Sequence, residues 1–345
     1  MKKRMIHFFS VIAMTAIAVL LISGLLIKLK SNAKTVSYRE YEGHYALITD
    51  SEDGDFWDKV YESAEKEGKS SDVYVERFGE NLSVQYDRKT LLKLAIQAKV
   101  DGIIVSGDES DETVELIDEA VEDGIPVVTV LNDCSGSNRQ CYVGTSNYTL
   151  GQEYGEQIQS LLEDMEDVSA ESPADILVLT DKEQLDVSQN LILLGIRETL
   201  ENTTQSDTVK VDTQLIDNTG EFSSEEAIRD IFLDDENFPD IIVCLSELNT
   251  KCAYQAAVDY NKVGSVKILG FHDSDSVLEG VSKGIISATI ALDTNQMGRD
   301  CVQALNDYIS TGYTNGYQAV DTQLITDDVA TKLLNSEEGT DSENN

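Results

Sequence analysis

Histidine is nearly absent: three in 345 residues, at positions 7, 44 and 272. That excludes a histidine-rich metal centre, and a conventional Ser-His-Asp triad would have to be built on His44 or His272. Basic residues are also scarce, 26 Lys and Arg against 64 Asp and Glu. Lys2, Lys3, Arg4, Lys28, Lys30 and Lys34 all precede the first acid, so residues 36–345 carry 20 basic against 64 acidic groups, a formal −44. Such a surface repels nucleic acid and anionic headgroups. Its plain reading is solubility and its functional one the capture of cations. No GxxxxGK[ST] phosphate loop occurs, and DGDFWD lacks the Asp-x-Asp-x-Asp-Gly spacing of a calcium loop. Asp50, Asp53 and Asp55 are candidates for paired carboxylates, but a solvated loop end accounts for them more simply. With no assembled catalytic group, neither an enzyme nor a cofactor or metal is expected.

The five cysteines fit an exported chain. Cys134 and Cys141 flank the polar loop SGSNRQ and form a candidate disulfide, one that would constrain the unfolded chain by about 2 to 3 kcal/mol. Cys244, Cys252 and Cys301 fall in apolar patterns and read as buried thiols. The first 34 residues form a separate segment. From Met5 to Ile27 no charge interrupts MIHFFSVIAMTAIAVLLISGLLI, a run long enough to span a bilayer as one helix. Lys2, Lys3 and Arg4 before it favour a cytoplasmic amino terminus and an exported remainder. A signal peptide cleaved after Ala33 is the alternative, which would release the chain. The length of the run and the intervening Lys28 and Lys30 favour a single-pass anchor in the cell membrane through residues 5–27. The first cysteine is Cys134, which excludes a lipid-anchored mature terminus.

From His44 onward, strand-length apolar runs alternate with segments of helical period. YALIT, VYVERF, GIIVSG, PVVTVL and CYVG are separated by FWDKVYESAEKEG, KTLLKLAIQAK and TVELIDEAVEDG. After the acidic link EDMEDVSAESP the pattern restarts with ADILVLT, VKVDTQL, DIIVCLS, VKILGF and IISATIAL. This alternation predicts an α/β fold of two doubly wound parallel-sheet units in tandem. Polar low-complexity sequence after Lys332 predicts a frayed tail.

Several stretches, in order and spacing, carry a resemblance: DGIIVSGDESDETVELIDEAVEDGIPVVTV, YVGTSNYTLGQEYGEQI, PDIIVCLSELNTKCAYQAA, ILGFHDSDSVLEGVSKGIISATIAL and QMGRDCVQAL. Together residues 44 to about 331 resemble the type I periplasmic, sugar-type binding proteins of the ribose and galactose group, whose domain also forms the sensory core of lac-repressor-like regulators. The resemblance implies two lobes joined by a three-strand hinge, following the N-terminal transmembrane helix. By it, residues 1–34 are the anchor or signal segment and 35–43 a linker. Residues 44–145 with 293–320 form one lobe, 146–292 with 321–331 the other, and 332–345 a disordered tail. At the first crossing, Gly144 would permit a tight exit and Ser146 or Asn147 would cap the next helix.

The same resemblance supplies candidate ligand contacts. Phe56 and Trp57 stand where an aromatic pair stacks on the ligand, with core packing as the other reading of Trp57. Phe222 matches a third aromatic wall. Asp50 and Ser106 occupy polar positions after the first and third strands. Elsewhere the polar clamp is altered. Leu131 stands for an aspartate, Asn132 for an arginine, Ile192 for a second arginine, Ser246 and Glu247 for an Asn-Asp pair, His272 for an aspartate and Leu292 for a glutamine. An unpaired buried hydroxyl is unfavourable by about 1 to 3 kcal/mol, so this pocket suits a simple hexose or pentose poorly. The alternatives are a less polar ligand, a sugar held by Asp50, Asp133, Asn190 and His272, or a domain whose binding role has drifted. His272 would either titrate between pH 5 and 8 in the cleft or serve as a turn residue bonded to backbone.

The implied function is extracytoplasmic capture of a carbohydrate or related small molecule for the membrane permease of an ABC-type importer. The alternative is a membrane-tethered sensory ectodomain reporting a solute to a sensor kinase or chemoreceptor. The regulator branch is not expected, because an apolar span and not a helix-turn-helix precedes the domain.

Overall fold

A computed structural model of the chain describes residues 40–49, 55–165, 168–181, 187–202, 208–218 and 221–341. The proposed membrane segment, its cleavage site, Asp50 and Asp53 lie outside these residues. Among the described residues no helix is long and apolar enough to cross a membrane.

The chain opens with β1 (Gly43–Ile48), α1 (Asp55–Ser70), β2 (Val73–Arg77), α2 (Arg88–Ala98), β3 (Gly102–Val105), α3 (Asp111–Glu122), β4 (Val127–Val130) and β5 (Cys141–Gly144). A second series follows: α4 (Asn147–Glu163), β6 (Ala174–Asp181), α5 (Val187–Glu201), β7 (Val209–Ile216), α6 (Glu221–Leu233), β8 (Ile241–Cys244), α7 (Glu247–Asp259), β9 (Lys267–Phe271), α8 (Asp275–Ser282) and β10 (Ala288–Leu292). The chain then returns through α9 (Thr294–Thr311) and β11 (Tyr317–Ala319), and crosses again to β12 (Thr322–Ile325) and α10 (Asp327–Asp341). Two six-stranded sheets result, ordered β11-β5-β4-β3-β1-β2 and β12-β10-β9-β8-β6-β7. Every pairing is parallel except that of β10 with β12, which is antiparallel.

Alternate residues of these strands face opposite layers, because successive side chains leave a strand on opposite sides. In the first lobe Ala46, Ile48, Ile103 and Val105 pack with Leu91, Leu92, Leu116 and Ile117 of α2 and α3. On the other face Tyr45, Leu47, Ile104 and Val128 meet Val60, Ala64, Cys301, Val302 and Leu305 of α1 and α9. In the second lobe Ile176, Val178, Ile241 and Val243 face α4 and α5 within that same cluster, while Leu179, Ile242 and Cys244 face the opposite layer with Ile228, Phe232 and Ala253. One apolar cluster therefore runs through both lobes. Leu150, Leu292, Met297 and Val320 belong to it where the chain crosses.

The three crossings are bonded to one another. Val320 donates its N–H to the Gly144 carbonyl at 2.9 Å, and Asp293 donates to the Asp321 carbonyl at 3.0 Å. Gln296 closes the group, donating from Nε2 to the Ala319 carbonyl at 2.9 Å and accepting at Oε1 from the Asp321 N–H at 3.0 Å. Ser146 is the cap of α4, its Oγ accepting from the Thr149 N–H at 3.3 Å, and Asp293 caps α9 through the Gln296 N–H at 2.9 Å. Gly144 is required for room: a Cβ there would lie 2.3 Å from the Tyr142 hydroxyl, which donates to the carbonyls of Leu131 and Thr145.

Two expectations are corrected. Cys134 and Cys141 are free and buried. The polar loop suggested a ring, but Cys134 packs into the α2–α3 layer and Cys141 into the α1–α9 layer, on opposite faces of one sheet. Residues 332–341 continue α10 instead of fraying, because the helix seats Val329, Ala330, Leu333 and Leu334 on the outer face of the second lobe.

Burial pushes the Cys134 thiol up to about 11 and the Cys141 thiol up to about 12, so both should resist a thiol reagent until the chain unfolds. Added reductant should leave the thermal midpoint unchanged; a drop of several degrees would restore the disulfide. A second test concerns helix contact. A Cβ on Gly298 would meet the Val60 carbonyl oxygen at 2.2 Å and the Ala64 nitrogen at 2.8 Å, so Gly298→Ala should force α9 from α1 and lower stability by about 1 to 3 kcal/mol in urea unfolding.

Candidate functional site

Parallel strands deliver their carboxyl ends, and the loops that follow, to the side where α/β sheets bind ligands. Here those loops of the two lobes meet. Phe56, at the start of α1, lies with its ring 4.1 Å from that of His272, which follows β9. Three residues on, Lys59 reaches Asp273 at 3.3 Å. The ion pair is partly exposed on both sides, so the aromatic contact contributes more to holding the lobes together. Trp57 sets its ring edge-on to Phe56, 5.0 Å away at 75°. Both aromatic residues belong to the shared apolar cluster, which gives Trp57 its core reading and leaves Phe56 as the ring that touches the second lobe.

His272 is buried, and its Nδ1 has no hydrogen-bond partner. Asn249, in the first turn of α7, is 1% exposed with its Oδ1 likewise unpartnered. Ser274 also lacks a partner in good geometry, although it lies close enough to Glu247 to help lower that carboxyl. These groups come from the first turn of α7, which follows β8, and from the loop after β9, and the two strands are neighbours in the sheet. A buried polar atom without a partner is unfavourable by about 1 to 3 kcal/mol, so Asn249 Oδ1 and His272 Nδ1 are candidates to accept a ligand's polar groups. Burial works to raise the Glu247 carboxyl, but Lys251, Ser274 and the Lys251 charge outweigh it and hold it below the usual range. Lys251 Nζ stands 2.5 Å from Glu247 Oε1.

Burial, with the charges of Lys59 and Lys251, pushes His272 down to about 4 against the opposing pull of Glu247. The imidazole is therefore neutral across pH 5 to 8, which corrects the expectation of titration there. His272 takes the left-handed conformation, φ 72°, and so does Leu131, φ 63°. For residues other than glycine that conformation is unfavourable by about 1 to 2 kcal/mol.

The other candidates divide. Ser106 is fully buried and Asn132 half-buried, with Asn132 Nδ2 donating to Ser106 Oγ over a long 3.5 Å. Leu131 is half-buried against the shared apolar cluster, while Ile192 and Leu292 are buried inside it. Ser246 spends its Oγ capping α7 through the Asn249 N–H at 3.2 Å. Asp133 is committed to Arg139, which donates from Nε and Nη2 at 2.5 Å each, and accepts from Thr129 Oγ1 at 2.7 Å. It is therefore not available to hold a sugar. Asn190 is exposed on α5 and Phe222 is 75% exposed on α6. Asn249, Ser274 and Lys59 were missed by sequence reasoning; the only signal was their place one turn into a helix or just after a strand. A groove of about 430 Å³ lined by Lys99, Asp101, Gly124 and Pro126 lies at the opposite end of the first sheet and shares no residue with this cluster.

Two parallel-sheet lobes, crossed three times by the chain and meeting through loops at their strand ends, define the two-lobed class of binding protein. The chain belongs to the family described as periplasmic binding protein domain, which matches residues 45–313. No curated protein matches the chain. Among solved structures it is similar to the XylFII-LytSN complex, with 27% identity and a TM-score of 0.70 over 83% of this chain and 98% of that one. It is similar also to GanP, a glucose-galactose binding protein from Geobacillus stearothermophilus, with 24% identity and a TM-score of 0.71 over 83% and 98%. A third is an ABC transporter solute binding protein from Burkholderia graminis in complex with D-arabinose, with 19% identity and a TM-score of 0.72 over 84% and 96%. The last two share the fold.

His272 yields a pH test with a defined sign. Its folded value lies below the unfolded 6.5, so its contribution is complete above that and is lost as pH falls toward 4. Between pH 7.5 and 5 the wild-type chain should lose about 2 kcal/mol more than His272→Gln in urea unfolding. Equal losses would place the imidazole in a solvated setting.

Proposed function

We propose that this chain captures a small sugar-like solute between its lobes outside the cytoplasm, held to the cell membrane by residues 5–27, and delivers it to the permease of an ABC-type importer. The observation that carries this reading is His272, buried with its Nδ1 unpartnered in the loop after β9 and 4.1 Å from the Phe56 ring of the other lobe, with Asn249 Oδ1 also unpartnered in the first turn of α7. A ligand would satisfy those atoms, lie beside the Phe56 ring, and bias the lobes toward the closed arrangement that a membrane partner reads. Sensing is the second reading, favoured because XylFII, solved together with LytSN, is similar to this chain at 27% identity. In that role the closed form would signal to a sensor kinase.

The test is thermal unfolding of the full-length chain with a panel of sugars, deoxy sugars and polyols. A true ligand at 100 times its dissociation constant adds about 2.7 kcal/mol of stability, and Phe56→Ala or Asn249→Ala should remove that gain. No response to any member would overturn capture of a sugar-like solute. Deleting the gene then separates the roles: importer function predicts loss of labelled-ligand uptake, and sensing predicts intact uptake with a lost transcriptional response.

A further inference from the structure

With β11 and β12 set aside, the two sheets share one order, β5-β4-β3-β1-β2 and β10-β9-β8-β6-β7. The chain crosses on the β5 and β10 side of each sheet, so β2 and β7 are the strands farthest from the joint. Both run parallel to their neighbours, and the segments that follow them lie at the carboxyl ends, on the side of the cleft. After β2 come Leu82, Val84 and Tyr86, three alternate residues of one loop, and at the end of β7 and the start of α6 come Leu215 and Phe222. These five large apolar side chains are between 40% and 75% exposed. The loop is fixed at both ends: the Leu82 N–H donates to the Gly79 carbonyl at 3.1 Å, and Asp87 caps α2 through the Thr90 N–H at 2.7 Å. Single exposed apolar residues are ordinary, whereas groups of them in corresponding places of both lobes mark an interaction surface.

Rotation about the joint displaces these two lips more than any strand nearer to it, so their relative position reports closure. Resting on the reading above, in which a partner senses the closed lobes, we propose that the two lips form one docking surface for a membrane protein whose matching face is apolar and rimmed by Lys and Arg. Charge selects that occupant. Glu80 and Asp87 bound the first lip, Asp217 and Glu225 flank Phe222, and residues 36–345 carry 20 basic against 64 acidic groups. A second copy of the chain and an anionic lipid surface are both repelled by that field, while a basic rim is attracted. The apolar side chains supply the contact and the carboxylates orient it.

Photocrosslinking of the full-length chain in its own cells tests this, with p-benzoylphenylalanine replacing Val84, Phe222 or, as a control, Tyr313. Tyr313 is 69% exposed but precedes the amino-terminal end of β11, away from both lips. Positions 84 and 222 should each give a product with one and the same membrane protein, identified by mass spectrometry and bearing Lys and Arg in its extracytoplasmic segments, and position 313 should not. In isolated membranes that product should fall several-fold at about 1 M salt, where the screening length is about 3 Å. Phe222→Ser should weaken the position-84 product about tenfold and leave the thermal midpoint and its response to the sugar panel unchanged. Products only with the chain itself or with lipid, different proteins at the two positions, or no product would overturn the docking surface. So would a loss of the sugar response in Phe222→Ser, which would return that ring to the ligand. Each of those results, with the wild-type chain still responding to a sugar, leaves capture standing; a shared product at both lips without any sugar response would remove capture and keep the surface.

Discussion

The mutual bonding of the three crossings is the constraint on which the molecule depends. Gly144 to Val320 and Asp293 to Asp321 tie three separate pieces of backbone into one joint, and Gln296 locks the last of them, at Ala319 and Asp321, to a helix of the first lobe. Movement at one strand must therefore be shared by the other two. The apolar cluster that runs through the joint adds a second restraint, because the interior of each lobe is packed against that of the other. With that end fixed, the loops opposite have a single path of approach, which brings Phe56 onto His272.

What meets at that approach is chemically uneven. The first lobe brings aromatic and aliphatic surface, and among its described carboxylates Asp133 is engaged by Arg139, and Asp108 by Arg88, Ser110 and Thr113. The second brings polar atoms whose hydrogen-bonding capacity is unspent. Unsatisfied atoms and left-handed backbone are both unfavourable to the free protein, and structures keep such features where they serve a site.

The alternation of apolar runs and helical periods made the parallel α/β lobes legible, since periodicity reports directly on which residues are buried. The site was legible in its placement more than in its chemistry. Ser106, Leu131 and His272 lie at strand ends and Phe56 at the start of the helix after β1, where sequence order alone locates them. The burial of Asn249 could not be read, because a polar residue one turn into a helix is ordinarily solvated and only packing of α7 against the neighbouring loop makes it otherwise. The exposure of Phe222 and Asn190 failed to show for the same reason in reverse. The two cysteines misled because a short loop says nothing about which face of the sheet its ends occupy.

Neither lobe is one continuous stretch of chain. The first lobe obtains α9 and β11 only after all ten preceding strands have been made, so its α1 face, with Tyr45, Val60 and Ala64, waits for partners encoded more than two hundred residues later. During vectorial synthesis the leading half emerges with a greasy flank uncovered, while the middle of the chain can largely assemble by itself. The lobe that appears first is finished last, and a chain cut short before α9 would leave that flank without its cover.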